Sequence, residues 1–408
     1  MPTLLQSPET RAVRHDANDE HDANDEAEAG FEAVVAGDFE ARTLYFTTPS
    51  LLADGRTLLY VGDQNGSDNI RARDLRNGDD WALTRHRLPV APYVGFRSEA
   101  ELNAFFGWSI AVSPEDGTAF YIAGRSIRAA QGRGPDREFA PLPPDQVCFG
   151  GLHVSASGDL LCVPTTDARA LHIEGAQRHD IDARIQSEEL GSWICIYDAR
   201  SGALLHRERV PLAWVTHVQF HPCDENCILY NHEWTPQSGT RRLWVWNGAH
   251  RALRTPDDGR SAHDYTVHEM WTPEGEAIIY HGTFAPSHPR WPNRAYIGRV
   301  RADGSDLCEI ALPAHFKDYG HFFAATPNLL VSDGYFQPQG APKSNEWISA
   351  LRIDWQTRDI QWTPLARHGS HWDCQQSHPH PFVAPDGRSV FFTGTRNGRR
   401  SVCRTILR

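Results

Sequence analysis

A turn of the type Pro/Ala-Asp/Glu-Gly, complete in four instances and partial in three, recurs seven times along the 408-residue chain, each time followed by a short apolar strand. A period this regular restricts the fold more severely than any other feature. Ala53-Asp54-Gly55 precedes Leu58–Val61, Pro114-Glu115-Asp116-Gly117 precedes Ala119–Ile122, and Ala156-Ser157-Gly158 precedes Leu160–Val163. The series continues with Pro222–Glu225 before Ile228–Tyr230 and Pro273-Glu274-Gly275 before Ile278–Tyr280. It ends with Pro327-Asn328 before Leu329–Val331 and Pro385-Asp386-Gly387 before Val390–Phe392. Pro presets one turn dihedral, Asp caps the turn, and Gly takes the positive φ that closes a tight hairpin. The mean spacing of roughly 55 residues slightly exceeds the usual propeller blade.

Each unit goes on to strands of aromatic and β-branched residues, such as Trp193–Asp198 and Leu243–Asn247, as expected of a blade's third strand. The reading is an all-β, seven-bladed β-propeller, with a β-sandwich pair or a β-helix as the competing architectures. Blades packed radially hide most of their edges, which suits so much strand. The C-terminal strand Val402–Leu407 is expected to share a blade with a strand from about residues 40–47. Long spacings near residues 88–110 and 125–150 read as loop insertions over one face. Thirteen Trp, 32 Gly, 27 Pro and only two Met fit short strands and many turns better than helix bundles.

The net charge of -12 argues against nucleic acid as a partner. Much of it is local: residues 1–32 hold nine acids against two Arg, net -7. The sequence His-Asp-Ala-Asn-Asp-Glu occurs there twice in succession, at 15–20 and 21–26. So charged a stretch, with few large apolar residues, cannot offset its ordering entropy, so residues 1–36 are expected to form an acidic, disordered tail and 37–408 the propeller. Metal binding by the two tail His is the sharper reading, and a solvated tail the simpler one. No apolar run of 18 residues suggests a membrane span, and the N-terminus lacks the features of a secretory signal. Eight scattered Cys read as the reduced thiols of a cytoplasmic protein. Cys223 and Cys227 have no second pair at zinc-site spacing.

Several of the 21 His fall at the same phase of the repeat. His217 precedes the fourth turn, His268 the fifth and His321 the sixth, while Gln375-x-x-His378-Pro-His380-Pro381 precedes the seventh. The strand nearest the axis lines a propeller's channel, so residues at one phase converge although far apart in sequence. In an extended strand His378 and His380 would share a side, and Gln375 would join them only if the chain bends before His378. Taken singly, each His is more simply a hydrogen-bonded structural residue.

Two of these segments resemble those of the oligogalacturonate lyase family. His268-Glu269-Met270-Trp271-Thr272-Pro273-Glu274-Gly275 is similar to that family's His-Glu-Phe-Trp-x-Pro-Asp-Gly signature, and Gln375-x-x-His378-Pro379-His380-Pro381 to its metal motif. Trp372-Asp373 and Leu44-Tyr45-Phe46 also have the family's character. The resemblance implies a manganese-type divalent ion held by His321, Gln375, His378 and His380. It further implies His268 as the catalytic base and an active-site Arg at Arg242, beside Arg241. The expected substrate contacts are Arg241, His232, His217 and Trp271. Where the family has Cys-His-Glu-Gly-Pro, this chain has Asn231-His232-Glu233-Trp234-Thr235, a departure that touches the substrate more than the reaction.

The implied activity is β-elimination from a uronate-containing oligosaccharide, an acidic substrate, to give a 4,5-unsaturated uronate. A divalent cation and Arg242 would stabilise the charge developing at the substrate carboxylate. His268 would take the proton on carbon 5. The competing readings are a non-catalytic binding or scaffold propeller, an epimerase using the same base and metal, and a hydrolase. For the last, no Gly-x-Ser-x-Gly elbow is present.

Overall fold

The structure is a computed structural model describing residues 31–35, 37–64, 66–92, 95–172, 178–233, 241–254, 265–313, 320–334, 346–370, 372, 374–396 and 398–407. The acidic repeat, Trp234, Tyr319 and Asp373 lie outside the described residues. Seven antiparallel sheets make a seven-bladed β-propeller. Each of the seven apolar runs identified above is the second strand of its blade, such as Thr57–Gln64 in blade 1 and Ile278–Thr283 in blade 5. Among the described residues, no helix is long and apolar enough to cross a membrane.

The turns work as their residues require. Asp54 accepts from the backbone N–H groups of Arg56 and Thr57, each at 2.8 Å, and Gly55 takes φ 63°. Asp386 does the same for Arg388 and Ser389 in blade 7, with Gly387 at φ 66°. A second repeated device is a fully buried tyrosine on the second strand. Its hydroxyl donates to an acid further out in the blade: Tyr60 to Asp80 at 2.7 Å, Tyr121 to Asp136 at 2.6 Å and Tyr280 to Glu309 at 2.7 Å. The ring fills inter-blade space while the hydroxyl finds the partner a buried polar group needs. Between blades 1 and 2, Leu59, Val61 and Ile70 pack against Phe105, Ile110 and Tyr121. Burying a side chain of this size stabilises by about 1.5–3 kcal/mol.

Two boundaries differ from expectation. The ring is closed by Phe31–Val35, which pairs with Arg399–Ile406 and places Phe31 opposite Thr405; residues 40–47 do not form this strand. Residues 31–35, assigned above to the tail, are therefore part of the propeller. Ala41–Arg42 is instead the innermost strand of blade 1. Nor is 125–150 an insertion: Ser126–Ala130 and Arg137–Pro141 are the outer strands of blade 2. The helical interruption lies in blade 3, where Ala168–Leu171 and Arg178–Ser187 separate Leu160–Asp167 from Gly191–Asp198.

Residues 43–50 strap across the channel. Thr43 N–H donates to Thr393 of blade 7 (3.0 Å), the Thr48 hydroxyl donates to the Ile110 carbonyl of blade 2 (3.1 Å), and Leu44 N–H donates to Ser50 Oγ (2.7 Å). The strap separates the His cluster from a cavity of about 320 Å³ at the other end of the inner strands, lined by Thr47, Phe220, Met270, Trp271 and Phe323 among others.

Candidate active site and metal centre

The inner strands of blades 4 to 7 begin with Val218, Tyr265, Phe322 and Phe382, and their histidines gather at the axis as the repeat phase requires. Potential ligand atoms of His321, His378 and His380 lie within 4.8 Å of one another, and all three residues are buried. The ordering device was invisible in the sequence. Asp333, fully buried at the end of blade 6's second strand, accepts from the His321 N–H (2.5 Å) and from the His380 N–H (3.1 Å). It also takes the Nδ1–H of His321 at 3.1 Å, which turns Nε2 of that ring toward a ligand. Burial alone would raise the Asp333 carboxyl, but His321 and the hydrogen bonds outweigh it and hold the group below its ordinary value.

His378 and His380 are not on a strand. Gln375–Ser377 forms a 3-10 turn, His378 caps it in an extended conformation, and His380 takes φ 45°. The expected bend before His378 is this turn, with Gln375 half-buried on it. The left-handed residue at 380, with Pro379 before it, replaces strand alternation as the reason both rings reach one point. Left-handed backbone at a non-glycine residue costs of order 1–3 kcal/mol and persists where surrounding contacts over-determine it.

These residues suit a divalent ion. The buried Nε2 of His380 has no hydrogen-bond partner among the described residues. Burial first, then His321, His378 and Arg42, push its imidazole well below the usual range, so it stays neutral with a lone pair to give. The centre's dependence on Asp333 is testable. Asp333→Asn is expected to weaken metal affinity by about 10–100-fold, the usual cost of losing a carboxylate behind a ligating His. Metal content after dialysis against a graded chelator series checks this; unchanged affinity would remove Asp333 from the centre.

His268 lies beside the triad, its ring centroid 4.4 Å from that of His321. It is a bulge residue: Val267 pairs with His281 and Glu269 with Tyr280, leaving His268 as the extra residue at φ 47°. The bulge lets His268 and Glu269 both serve the axial cluster, which strict alternation would forbid. Nδ1 of His268 is 2.7 Å from the Gly320 carbonyl and 2.9 Å from Nε2 of His281. A carbonyl only accepts, so Nδ1 carries the hydrogen and Nε2 is the basic nitrogen. Burial, then the neighbouring His321, His281 and Arg242, keep His268 neutral, well below the ordinary imidazole range.

Glu269 ties the second half of the site together. It is fully buried, with Oε2 accepting from Arg242 Nε at 2.9 Å and Oε1 2.5 Å from His217 Nδ1. Burial would raise its carboxyl, but Arg242 and His217 prevail and lower it to about 2. Arg242 also donates to Glu233 (2.7 Å), which Thr216 and Asn231 support at 3.0 and 2.8 Å. Of the two adjacent arginines, Arg242 is thus built into the site, while Arg241 is half-buried and offers its carbonyl to the Trp244 indole.

Two expected substrate contacts are placed elsewhere. His232 stacks on Trp244 within blade 4, ring centroids 4.8 Å apart, and burial and then His250 lower it to about 3. Trp271 lies three residues beyond His268, roughly 10 Å along a strand. It packs on His221 and in the core between blades 4 and 5, lining the cavity beneath the strap. His217 does join the cluster, through Glu269 and the Tyr45 hydroxyl. Sequence reasoning missed Asp333 and the bridging role of Glu269, and it singled out Tyr45 and Phe46 without giving them a role. Phe46 packs edge-on against His217 and His268, at centroid distances of 5.8 and 5.1 Å.

Comparison with known proteins bears on the fold and the family. An oligogalacturonide lyase of Pectobacterium atrosepticum is 26% identical over 200 residues, covering 46% of this chain and 48% of that protein. The chain spans about half the length of the curated relatives it matches. A solved oligogalacturonate lyase in complex with manganese shares the fold at a TM-score of 0.72 and 18% identity, covering 93% of each chain. The oligogalacturonate lyase of Vibrio parahaemolyticus does so at 0.73 and 17%, again with 93% of each chain covered. The family model for oligogalacturonate lyase matches residues 198–407, half of the chain, and that stretch contains His217, Arg242, His268, Glu269 and the three-His centre. On that match the chain belongs to the oligogalacturonate lyase family.

Proposed function

We propose that this protein is a divalent-metal-dependent lyase, manganese being the expected ion, that cleaves short uronate-containing oligosaccharides by β-elimination. The observation carrying the reading is the meeting of the buried triad His321, His378 and His380 with His268, whose Nδ1–H is committed to Gly320. Gln375, whose carbonyl accepts from the His378 N–H at 3.3 Å, would complete the ligand set. A bound divalent ion supplies Lewis acidity toward the substrate carboxylate, and a shell of neutral His and Gln leaves its charge undiminished.

The chain's own residues account for the remaining work. Arg242, held by Glu233 and Glu269, is a fixed cation that faces developing carboxylate charge without reorganising. His268 Nε2 receives the proton from carbon 5; the carbon 4–carbon 5 double bond forms, and the bond from carbon 4 to the glycosidic oxygen breaks with its electron pair on oxygen. Gly320, accepting from Nδ1, steadies the imidazolium so formed. The eight free cysteines suit a reducing, cytoplasmic compartment in which short imported oligomers are the available substrate.

The test is the ultraviolet absorbance of the unsaturated product. Metal-loaded protein given a panel of uronate oligosaccharides is expected to produce a rise with at least one of them. The rise should vanish after chelator treatment and return with manganese. No rise across the panel from protein with confirmed metal would overturn the lyase reading.

A further inference from the structure

The strap residues Leu44 and Phe46 are buried, whereas Tyr45 between them is half-exposed at the His cluster. Its ring packs edge-on to His380 and His321, at centroid distances of 5.0 and 6.0 Å, and its hydroxyl is 3.2 Å from Nε2 of His217. Tyr45 thus spans the gap between the metal triad and the Glu269–Arg242 network. A uronate whose carboxylate lies between those two would pass over it.

The polarity of the hydrogen bonds can be worked outward from Glu269. Arg242 Nε can only donate, so Oε2 accepts. At 2.5 Å, His217 Nδ1 must also donate to Oε1, since two acceptors would repel at that distance. The 3.5 Å separation of Arg242 NH2 from the same Nδ1 is too long to reverse this assignment. Burial, outweighing the pull of Glu269, holds the His217 imidazole below its usual range, so the ring is neutral and presents Nε2 as an acceptor, and the Tyr45 hydroxyl is the donor in the bond between them. With its hydrogen committed to His217, the phenol oxygen offers a ligand only lone pairs. Lone pairs repel a carboxylate and welcome an O–H.

We propose that Tyr45 is a specificity-determining residue of this site, accepting a hydrogen bond from one ring hydroxyl of the bound uronate oligosaccharide, with His217 and Glu269 as the positioning residues that fix its polarity. The inference rests on the lyase reading above. It distinguishes Tyr45, a reader of hydroxyls, from Arg242 and the metal triad, which face charge.

Tyr45→Phe keeps the ring and the strap and removes only the oxygen. Against wild-type metal content and thermal unfolding, kcat/KM on an oligogalacturonate is expected to fall roughly 3–10-fold, mostly through KM. A purely structural role for the ring would leave both constants unchanged. The substrate side is tested with singly deoxygenated oligogalacturonates on the unmodified protein. One deoxy position should lose about the same factor with wild type and nothing further with Tyr45→Phe. Equal kcat/KM for the variant and wild type, or no deoxy position that matters to wild type, would overturn the assignment while leaving the lyase reading intact. Failure of wild type to act on any uronate oligomer would remove both together. If Tyr45→Phe does not fold, the deoxy series on wild type decides alone.

Discussion

Turnover is expected to fall by about 10²–10⁴-fold when His268 is replaced by alanine, the range a positioned general base contributes. Metal content should be retained, because the three ring ligands and Asp333 are untouched. The direction of the imidazole carries the argument. Gly320 fixes the hydrogen on Nδ1, the bulge at φ 47° turns the ring into the axis, and His281 shares the Nδ1 contact. His268→Gln retains an N–H donor for Gly320 but has no basic nitrogen, so it should be as inactive as alanine while better preserving stability. Product absorbance under saturating metal, paired with elemental analysis of the same samples, reads both quantities. A variant with wild-type kcat would take the base assignment away from His268.

Arg242→Ala should be the most destabilising single change at the site, by about 3–5 kcal/mol, since it strands fully buried Glu269 without the guanidinium that pairs with it. Chemical denaturation near pH 7 measures this, and Arg242→Lys is expected to recover only part, lacking the fork that reaches both acids. Acid should reveal the same interaction in the wild type. Glu269 has a folded pKa depressed from 4.5 to about 2. Its contribution is therefore present in full above the unfolded value and is lost as pH falls from about 4.5 toward 2, on the order of 3 kcal/mol in all. In Arg242→Ala that component of the pH dependence should largely disappear. A variant whose stability falls with acid in parallel with wild type would show that Arg242 is not what holds Glu269 ionised.

The fold was legible because turn residues recur seven times at the same phase, and each set was followed by the run that became a second strand. The closing strand was not, since Phe31-Glu32-Ala33-Val34-Val35 is short and adjoins the acidic tail, where nothing local distinguishes strand from linker. Its partner is more than 360 residues away, and pairing at that range leaves no local mark. At the site, the convergence of His268, His321, His378 and His380 followed from repeat phase and family resemblance. Asp333 did not, because it follows an ordinary apolar strand and acquires its role only through contacts distant in sequence, with His321 across the hairpin of blade 6 and with His380 ahead of blade 7. Trp271 was misread for a related reason. An aromatic next to catalytic residues in sequence can, on a strand, belong to the other end of the channel and to the inter-blade core.

Blade 7 takes three strands from the last part of the chain and its fourth from Phe31–Val35, and its first loop carries His378 and His380. During synthesis, blades 1 to 6 can hold His217, Arg242, His268, His321 and Asp333 long before residues 378–380 exist. A nascent chain thus owns the proposed base, a guanidinium and one imidazole, but not the other two rings of the triad. An ion held by His321, His378 and His380, as proposed above, would bind only the closed form and so would stabilise the join between the two ends of the propeller.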